Sequence, residues 1–187
     1  MTCPNCDPKF ISPGRLIKIK PGTINNPICL NCGDLINKAS QWDSYFHNIC
    51  VAVSSKSPCL SRQIGAILVR DRSIVSTGFN GPARGYPHCQ GTCPRKLKGY
   101  KSGEGLIECP AAHAEANCIA NAARIGATTI GTTLYMNCIT PCKDCMILLV
   151  NAGIVEVVIE ELKFYHEMSK TIASHGNIKI RTFDIKE

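Results

Sequence analysis

No stretch of this 187-residue chain stays apolar for the roughly 18 residues that a membrane-spanning helix needs. The richest run, Met146 to Ile159, is interrupted by Asn151, Gly153 and Glu156. The opening residues, MTCPNCDPK, hold no apolar core of an export signal. Aromatic residues are scarce, at 6% with one tryptophan, which argues against a channel built to stack unpaired bases. There is no internal repeat, heptad run or low-complexity tract. At 44% hydrophobic and 19% charged residues, disorder is excluded as the main state, and one sizeable core can be buried. The expectation is a soluble, cytoplasmic protein that makes no use of a membrane.

What the chain has in excess is cysteine, 13 residues. An odd count cannot pair fully into disulfides, and a chain among cellular reductants would not keep them, so metal ligation is the better reading. It also revises the charge. The formal net charge is +7, from 21 basic and 14 acidic residues. A zinc held by four thiolates carries −2, so two such sites would leave about +3. That excess suits an anionic small molecule as well as nucleic acid and decides nothing alone.

Residues 1–40 differ from 41–187. The first segment holds Cys3, Cys6, Cys29 and Cys32 with five prolines and no amphipathic period. It is too short to bury a core, so something must staple it. Two C-x-x-C pairs separated by 22 residues read as a zinc ribbon. Arg15, Lys18 and Lys20 form a basic stretch between the pairs, offering nucleic-acid binding as one role and docking between subunits as the favoured one.

From Gln41 the pattern predicts a helix over Trp42–Ser55, strands over Ile64–Val69 and Ile74–Thr77 joined by a turn at Asp71-Arg72-Ser73, and a long loop from Asn80 to Pro110. A helix over His113–Ile125, a strand over Thr133–Cys138 and a helix over Cys142–Ala152 follow. A strand over Ile154–Ile159, a helix over Phe164–Ser174 and a strand over Ile178–Phe183 complete the series. Strands alternating with helices after a hairpin indicate a three-layer α/β/α domain around a central mixed five-stranded sheet.

Two motifs carry chemistry. His113-Ala114-Glu115 opens one predicted helix, and Pro141-Cys142-Lys143-Asp144-Cys145 opens the next. Cys142 and Cys145 are one turn apart and share a helix face. Both lie at a helix N-terminus, where the dipole favours the thiolates that zinc requires. His113 adds a third ligand and leaves the fourth tetrahedral position open, the arrangement of a catalytic zinc. Glu115 then stands beside the metal as a proton acceptor and donor. H-x-E followed by P-C-x-x-C is the signature of zinc-dependent base deaminases, in which water replaces an exocyclic amine.

From Gln41 onward the chain resembles the deoxycytidylate deaminases of the cytidine deaminase-like superfamily. The resemblance rests on Gln63-Ile64-Gly65-Ala66, Ser76-Thr77-Gly78-Phe79-Asn80-Gly81, His113-Ala114-Glu115-Ala116-Asn117 and Asn151-Ala152-Gly153-Ile154. It implies zinc-dependent conversion of dCMP to dUMP, a sheet between helices, a homohexamer, activation by dCTP with Mg²⁺ and inhibition by dTTP. It also implies that Asn80 contacts the deoxyribose and that the Ala114 N–H faces the pyrimidine carbonyl. Gly78, Phe79 and Gly81 would fall in the effector-binding region, with Arg124 as a coupling residue.

The substrate phosphate needs cationic donors, and Lys56, Arg62 and Arg84 are the candidates. Two features depart from the family. One residue more than its usual spacing separates Tyr135 from Cys142, which opens the possibility of a 5-substituted dCMP; most relatives also lack the N-terminal appendage.

Cys59, Cys89, Cys93 and Cys109 are expected to hold a second, structural zinc that pins the long loop, with His88 able to replace one ligand. In some family members the positions of Cys59 and Cys89 serve this purpose. Cys50, Cys118 and Cys138 are expected to be buried small hydrophobes. The competing functions are deamination of a polynucleotide and, outside enzymes, a ribbon protein that binds nucleic acid on a scaffold deaminase domain. The low aromatic content weighs against the first and the intact Glu115 against the second.

Overall fold

The apolar run after Ile64 becomes an interior strand of a sheet. A computed structural model describes residues 38–101, 104–164 and 166–185. The sheet and the site considered below belong to one compact unit, Ser44–Phe183. The expected ribbon, with Cys3, Cys6, Cys29 and Cys32, lies outside the described residues.

The first helix, α1, spans Lys38–Ser54 and so begins before the expected Trp42. Strands β1 (Gly65–Arg70) and β2 (Ser73–Phe79) pair antiparallel through a tight turn in which Asp71 and Arg72 have φ of 51° and 63°. Two successive left-handed residues twist a hairpin in the sense its strands require. Next come β5 (Thr133–Ile139), β6 (Glu156–Glu161) and β7 (Lys179–Thr182), giving the order β2-β1-β5-β6-β7. β5 is antiparallel to β1, whereas β5–β6 and β6–β7 are parallel, so the sheet is mixed as expected. The parallel pairs are bridged by α4 (Lys143–Asn151) and α5 (Glu167–His175), the crossover connections that parallel strands need.

Strand alternation divides the core. Ala66, Leu68, Leu134, Met136, Val157 and Ile159 pack into one buried cluster with Ala114, Cys118 and Ala122 of α3 (Ala114–Arg124), and with Met146 and Leu149 of α4. The intervening residues face the other way. There Tyr135 meets the fully buried Phe46 of α1, their ring centroids 4.8 Å apart. Cys50 and Cys118 are completely buried, and Cys138 nearly so.

The stretch 80–110, expected as a loop, carries structure of its own. Strands β3 (Gly81–Pro82) and β4 (Ala111–Ala112) pair at its base, and the short helix α2 (Pro94–Leu97) and a 3₁₀ turn at Leu106–Glu108 lie between them. Two-residue strands carry too little pattern to show in a sequence. Among the described residues no helix is long and apolar enough to cross a membrane.

Candidate metal centre and its cavity

Two helix starts meet over the sheet. Helix α3 is laid on β2 by close approach. A Cβ on Gly78 would stand 2.4 Å from the Cys118 nitrogen and 2.6 Å from the Ala114 oxygen, so only glycine fits there. Side chains then fix its height. Asn117 and Asn121, one turn apart, donate to the Phe79 and Thr77 carbonyls at 2.7 and 2.8 Å, and Ser76 donates to the Cys118 carbonyl at 2.9 Å. Helix α4 is held from the far side: the buried Ser169 of α5 donates to the Pro141 carbonyl at 2.7 Å, and Thr140 donates to the Lys163 carbonyl.

Both helices are preceded by an extended residue that does not cap them. His113 and Cys142 occupy the N-cap positions with ψ of 158° and 169°, and neither side chain makes a capping hydrogen bond. Their donor atoms are thereby free to meet. His113 Nδ1 lies 3.5 Å from Cys142 Sγ and 3.4 Å from Cys145 Sγ. Among the described residues this is the group of three or more candidate ligands lying within 4.8 Å of one another.

A tetrahedral zinc, with bonds of about 2.0–2.3 Å, places its nitrogen and sulfur donors about 3.5 Å apart. The three residues therefore fit the ion in donor type and in spacing. Cys142 is lowered to about 4, first by the hydrogen bond from Cys145 and then, against burial, by His113. The same bond, with burial and the nearby Glu115, pushes Cys145 up. His113 is held above its usual range by Cys142, while burial and the more distant Arg95 charge act the other way.

Glu115, two residues on, is 4% exposed. Burial raises its carboxyl, with His113 and its own backbone bond opposing. The Ala114 N–H belongs to the first helical turn, which has no intrahelical acceptor.

These groups open into a cavity of about 340 Å³. Its floor is formed by the buried Glu115, Met136, Cys138, Ile139 and Thr140, and its rim by the exposed Ser61, Arg62, Glu104 and His166. At the floor β5 is bulged. Met136 pairs with Ile159 but Ile139 with Glu161, three steps against two. A bulge of this kind absorbs one extra residue and re-aims its neighbours. Cys138 lies within the bulge and is both a buried residue and part of the cavity wall. Within the bulge Asn137 Oδ1 accepts the Gly65 N–H at 2.7 Å, tying the floor to the start of β1.

The other expected residues separate clearly. Asn80 lines the cavity, but most of its carboxamide is already engaged: Oδ1 accepts from Ile64 N–H at 2.8 Å and Ser57 Oγ at 2.7 Å, and Nδ2 donates to the Arg62 carbonyl at 2.8 Å. One N–H remains for a ligand. Of the three candidate phosphate cations only Arg62 faces the cavity. Lys56 lies outside the wall, and Arg84 donates to Asn121 Oδ1 at 3.0 Å on α3.

Arg95 of α2 does line the cavity and was not expected, because nothing in Pro94-Arg95-Lys96 marks one cation over the next. Gly78, Phe79, Gly81 and Arg124 lie outside the wall; Phe79 is 37% exposed and Arg124 is exposed at the last turn of α3. Cys59, Cys93 and Cys109 are near enough to Cys89 to raise its thiol pKa after burial has done so, yet the four are not at ligand spacing.

A family model described as the cytidine and deoxycytidylate deaminase zinc-binding region matches residues 40–161. The chain belongs to this family. Among named relatives it is 33% identical over 148 residues to a deoxycytidylate deaminase of Saccharomyces cerevisiae, covering 78% of this chain and 46% of that protein. It is 35% identical over 159 residues to that of Schizosaccharomyces pombe, covering 82% and 48%. It thus spans about half the length of these two relatives. A third, from Mycobacterium phage D29, is 39% identical over 122 residues, covering 63% of this chain and 92% of the phage protein. The fold matches that of a dCMP deaminase from the cyanophage S-TIM5, solved with dCMP and dUMP, at a TM-score of 0.61 and 22% identity over 78% of this chain and 98% of that one. The family is a zinc-binding one, and the His113, Cys142 and Cys145 cluster supplies the donors.

Proposed function

We propose that this protein hydrolyses dCMP to dUMP and ammonia. The observation that carries the reading is the convergence of His113, Cys142 and Cys145 at zinc-ligand spacing, with the buried Glu115 beside them on one cavity wall. The named relatives supply the substrate, and the cavity volume of about 340 Å³ suits a single nucleotide.

His113 Nδ1 and the Sγ atoms of Cys142 and Cys145 would hold the metal. Zinc, when bound, supplies a Lewis acid that makes water nucleophilic near neutral pH. Glu115 accepts a proton from water on its carboxylate and passes it to the pyrimidine N3. As C4 takes up the oxygen and its bond to the amino nitrogen breaks, Glu115 delivers the second proton to that nitrogen, so one water enters and one ammonia leaves. The Ala114 N–H donates to the pyrimidine carbonyl, and the free Asn80 N–H to the sugar. Met136 and Cys138 enclose the base and exclude bulk water.

Cys59, Cys89, Cys93 and Cys109 gather in one region without standing at ligand spacing, and would close on a structural zinc that pins the loop. An N-terminal ribbon of Cys3, Cys6, Cys29 and Cys32 docks between subunits of a cytoplasmic homohexamer. Regulation by dCTP with Mg²⁺ and by dTTP, at the Gly78–Gly81 turn with Arg124, completes the reading.

The test is ammonia release from zinc-loaded protein given dCMP, 5-methyl-dCMP, deoxycytidine, dCTP or a cytosine-containing oligonucleotide, each with and without Mg²⁺-dCTP. Turnover of dCMP that is lost in Glu115→Gln is the expected result. Turnover of the oligonucleotide, or of nothing, would overturn it.

A further inference from the structure

The wall of the cavity carries two guanidinium groups contributed by separate parts of the chain. Arg62 precedes β1 and is exposed; its side chain has no hydrogen bond or ion pair among the described residues. Arg95 is half-buried in α2 and is oriented by the backbone. Its Nε donates to the Glu104 carbonyl at 2.6 Å and one Nη to the Lys101 carbonyl at 3.3 Å. Of five N–H donors, two are thus engaged and three remain, on a group whose plane is already fixed.

The carboxylate nearest to Arg95 in the wall does not neutralise it. Glu104 Oε2 accepts the Lys101 N–H at 2.9 Å, and Arg95 forms no ion pair among the described residues. The next cation along, Lys96, does not face the cavity. Two guanidiniums without a carboxylate partner, on the wall of a cavity that also holds a buried carboxyl and metal donors, match a ligand with a dianion at one end.

We infer that Arg95, together with Arg62, binds the 5′-phosphate of the substrate and sets the preference for nucleotide over nucleoside. This rests on the nucleotide-deaminase reading above and names the residue that makes the distinction. Arg95 was positioned for the purpose by carbonyls of its own loop, so it loses little freedom when it engages a phosphate. Lysine at that position would keep the charge but lose the fork.

The experiment compares wild type, Arg95→Ala, Arg95→Lys and Lys96→Ala as zinc-loaded full chains. Initial rates are measured with dCMP and deoxycytidine, and binding of inorganic phosphate by calorimetry. Loss of a charge-assisted contact to phosphate should lower kcat/KM for dCMP in Arg95→Ala roughly 10- to 100-fold, mostly through KM. The value for deoxycytidine should stay within about twofold, and Arg95→Lys should fall between. Phosphate binding should weaken in parallel, while Lys96→Ala should match wild type.

Equal losses for dCMP and deoxycytidine in Arg95→Ala would show a merely structural role and overturn the inference, as would an unchanged dCMP rate. If wild type turned over no dCMP, the functional reading would fail by itself. Phosphate binding lost only in the Arg95 variants would then still uphold the anion site, and phosphate binding equal in all four proteins, or absent from wild type, would refute it.

Discussion

Two sets of cysteines in this molecule have comparable spacing along the chain and different geometry in space. Cys142 and Cys145 stand at the start of α4, and with His113 they reach ligand distance. Cys89 and Cys93 are similarly close in sequence, and with Cys59 and Cys109 they gather around one region without reaching it. The difference lies in what carries them. The first set is mounted on two helix starts, each fixed to the sheet or to a neighbouring helix by side-chain hydrogen bonds. In the second, Cys89, Cys93 and Cys109 are mounted between β3 and β4, and Cys59 on the connection from α1 to β1. Donor spacing becomes a site when regular structure fixes the direction of each side chain.

The comparison is broken most severely by removing a donor from the rigid set. Cys145→Ser should abolish turnover and cut zinc retention, read by metal analysis after gel filtration. Glu115→Gln should retain the metal and lose roughly 10²–10⁴-fold in kcat, because only proton transfer is removed; equal loss of zinc would contradict its placement outside the ligand set. Moving the platform comes next. Gly78→Ala pushes a Cβ into the α3 backbone and should destabilise the fold by about 1–3 kcal/mol, measured by denaturant unfolding. The mildest change touches the loop set. Cys93→Ser should release about one zinc per chain and expose the loop to proteolysis while the first metal stays bound. An unchanged zinc content would remove the second site from the proposal.

The alternation of strands and helices was legible because each central element carries its own period. β1, β5 and β6 read as apolar runs since both faces are covered, and the helix boundaries shifted by only a few residues. The loop between Asn80 and Pro110 was opaque. Its two-residue strands and single-turn helix owe their existence to distant partners, Gly81 to Ala112 and Pro82 to Ala111, which no local pattern announces. The bulge in β5 was equally hidden, because it exists only as a register shift against β6. Asn80 was expected to serve a ligand, yet it chiefly holds Ile64, Ser57 and Arg62 together at the entry to β1.

The sequence by itself determined the chemistry at the floor of the cavity. His113, Glu115, Cys142 and Cys145 come from two short motifs, and helix geometry alone places Cys142 and Cys145 on one face. Only the tertiary structure decided which cations look into the cavity. Lys56, Arg62, Arg84 and Arg95 are equivalent as letters, and the packing of the loop turned Arg62 and Arg95 inward and left the other two outside. The motif chemistry is a local property of one helical turn. The cavity rim is assembled from segments more than thirty residues apart, and only their packing gives it a shape.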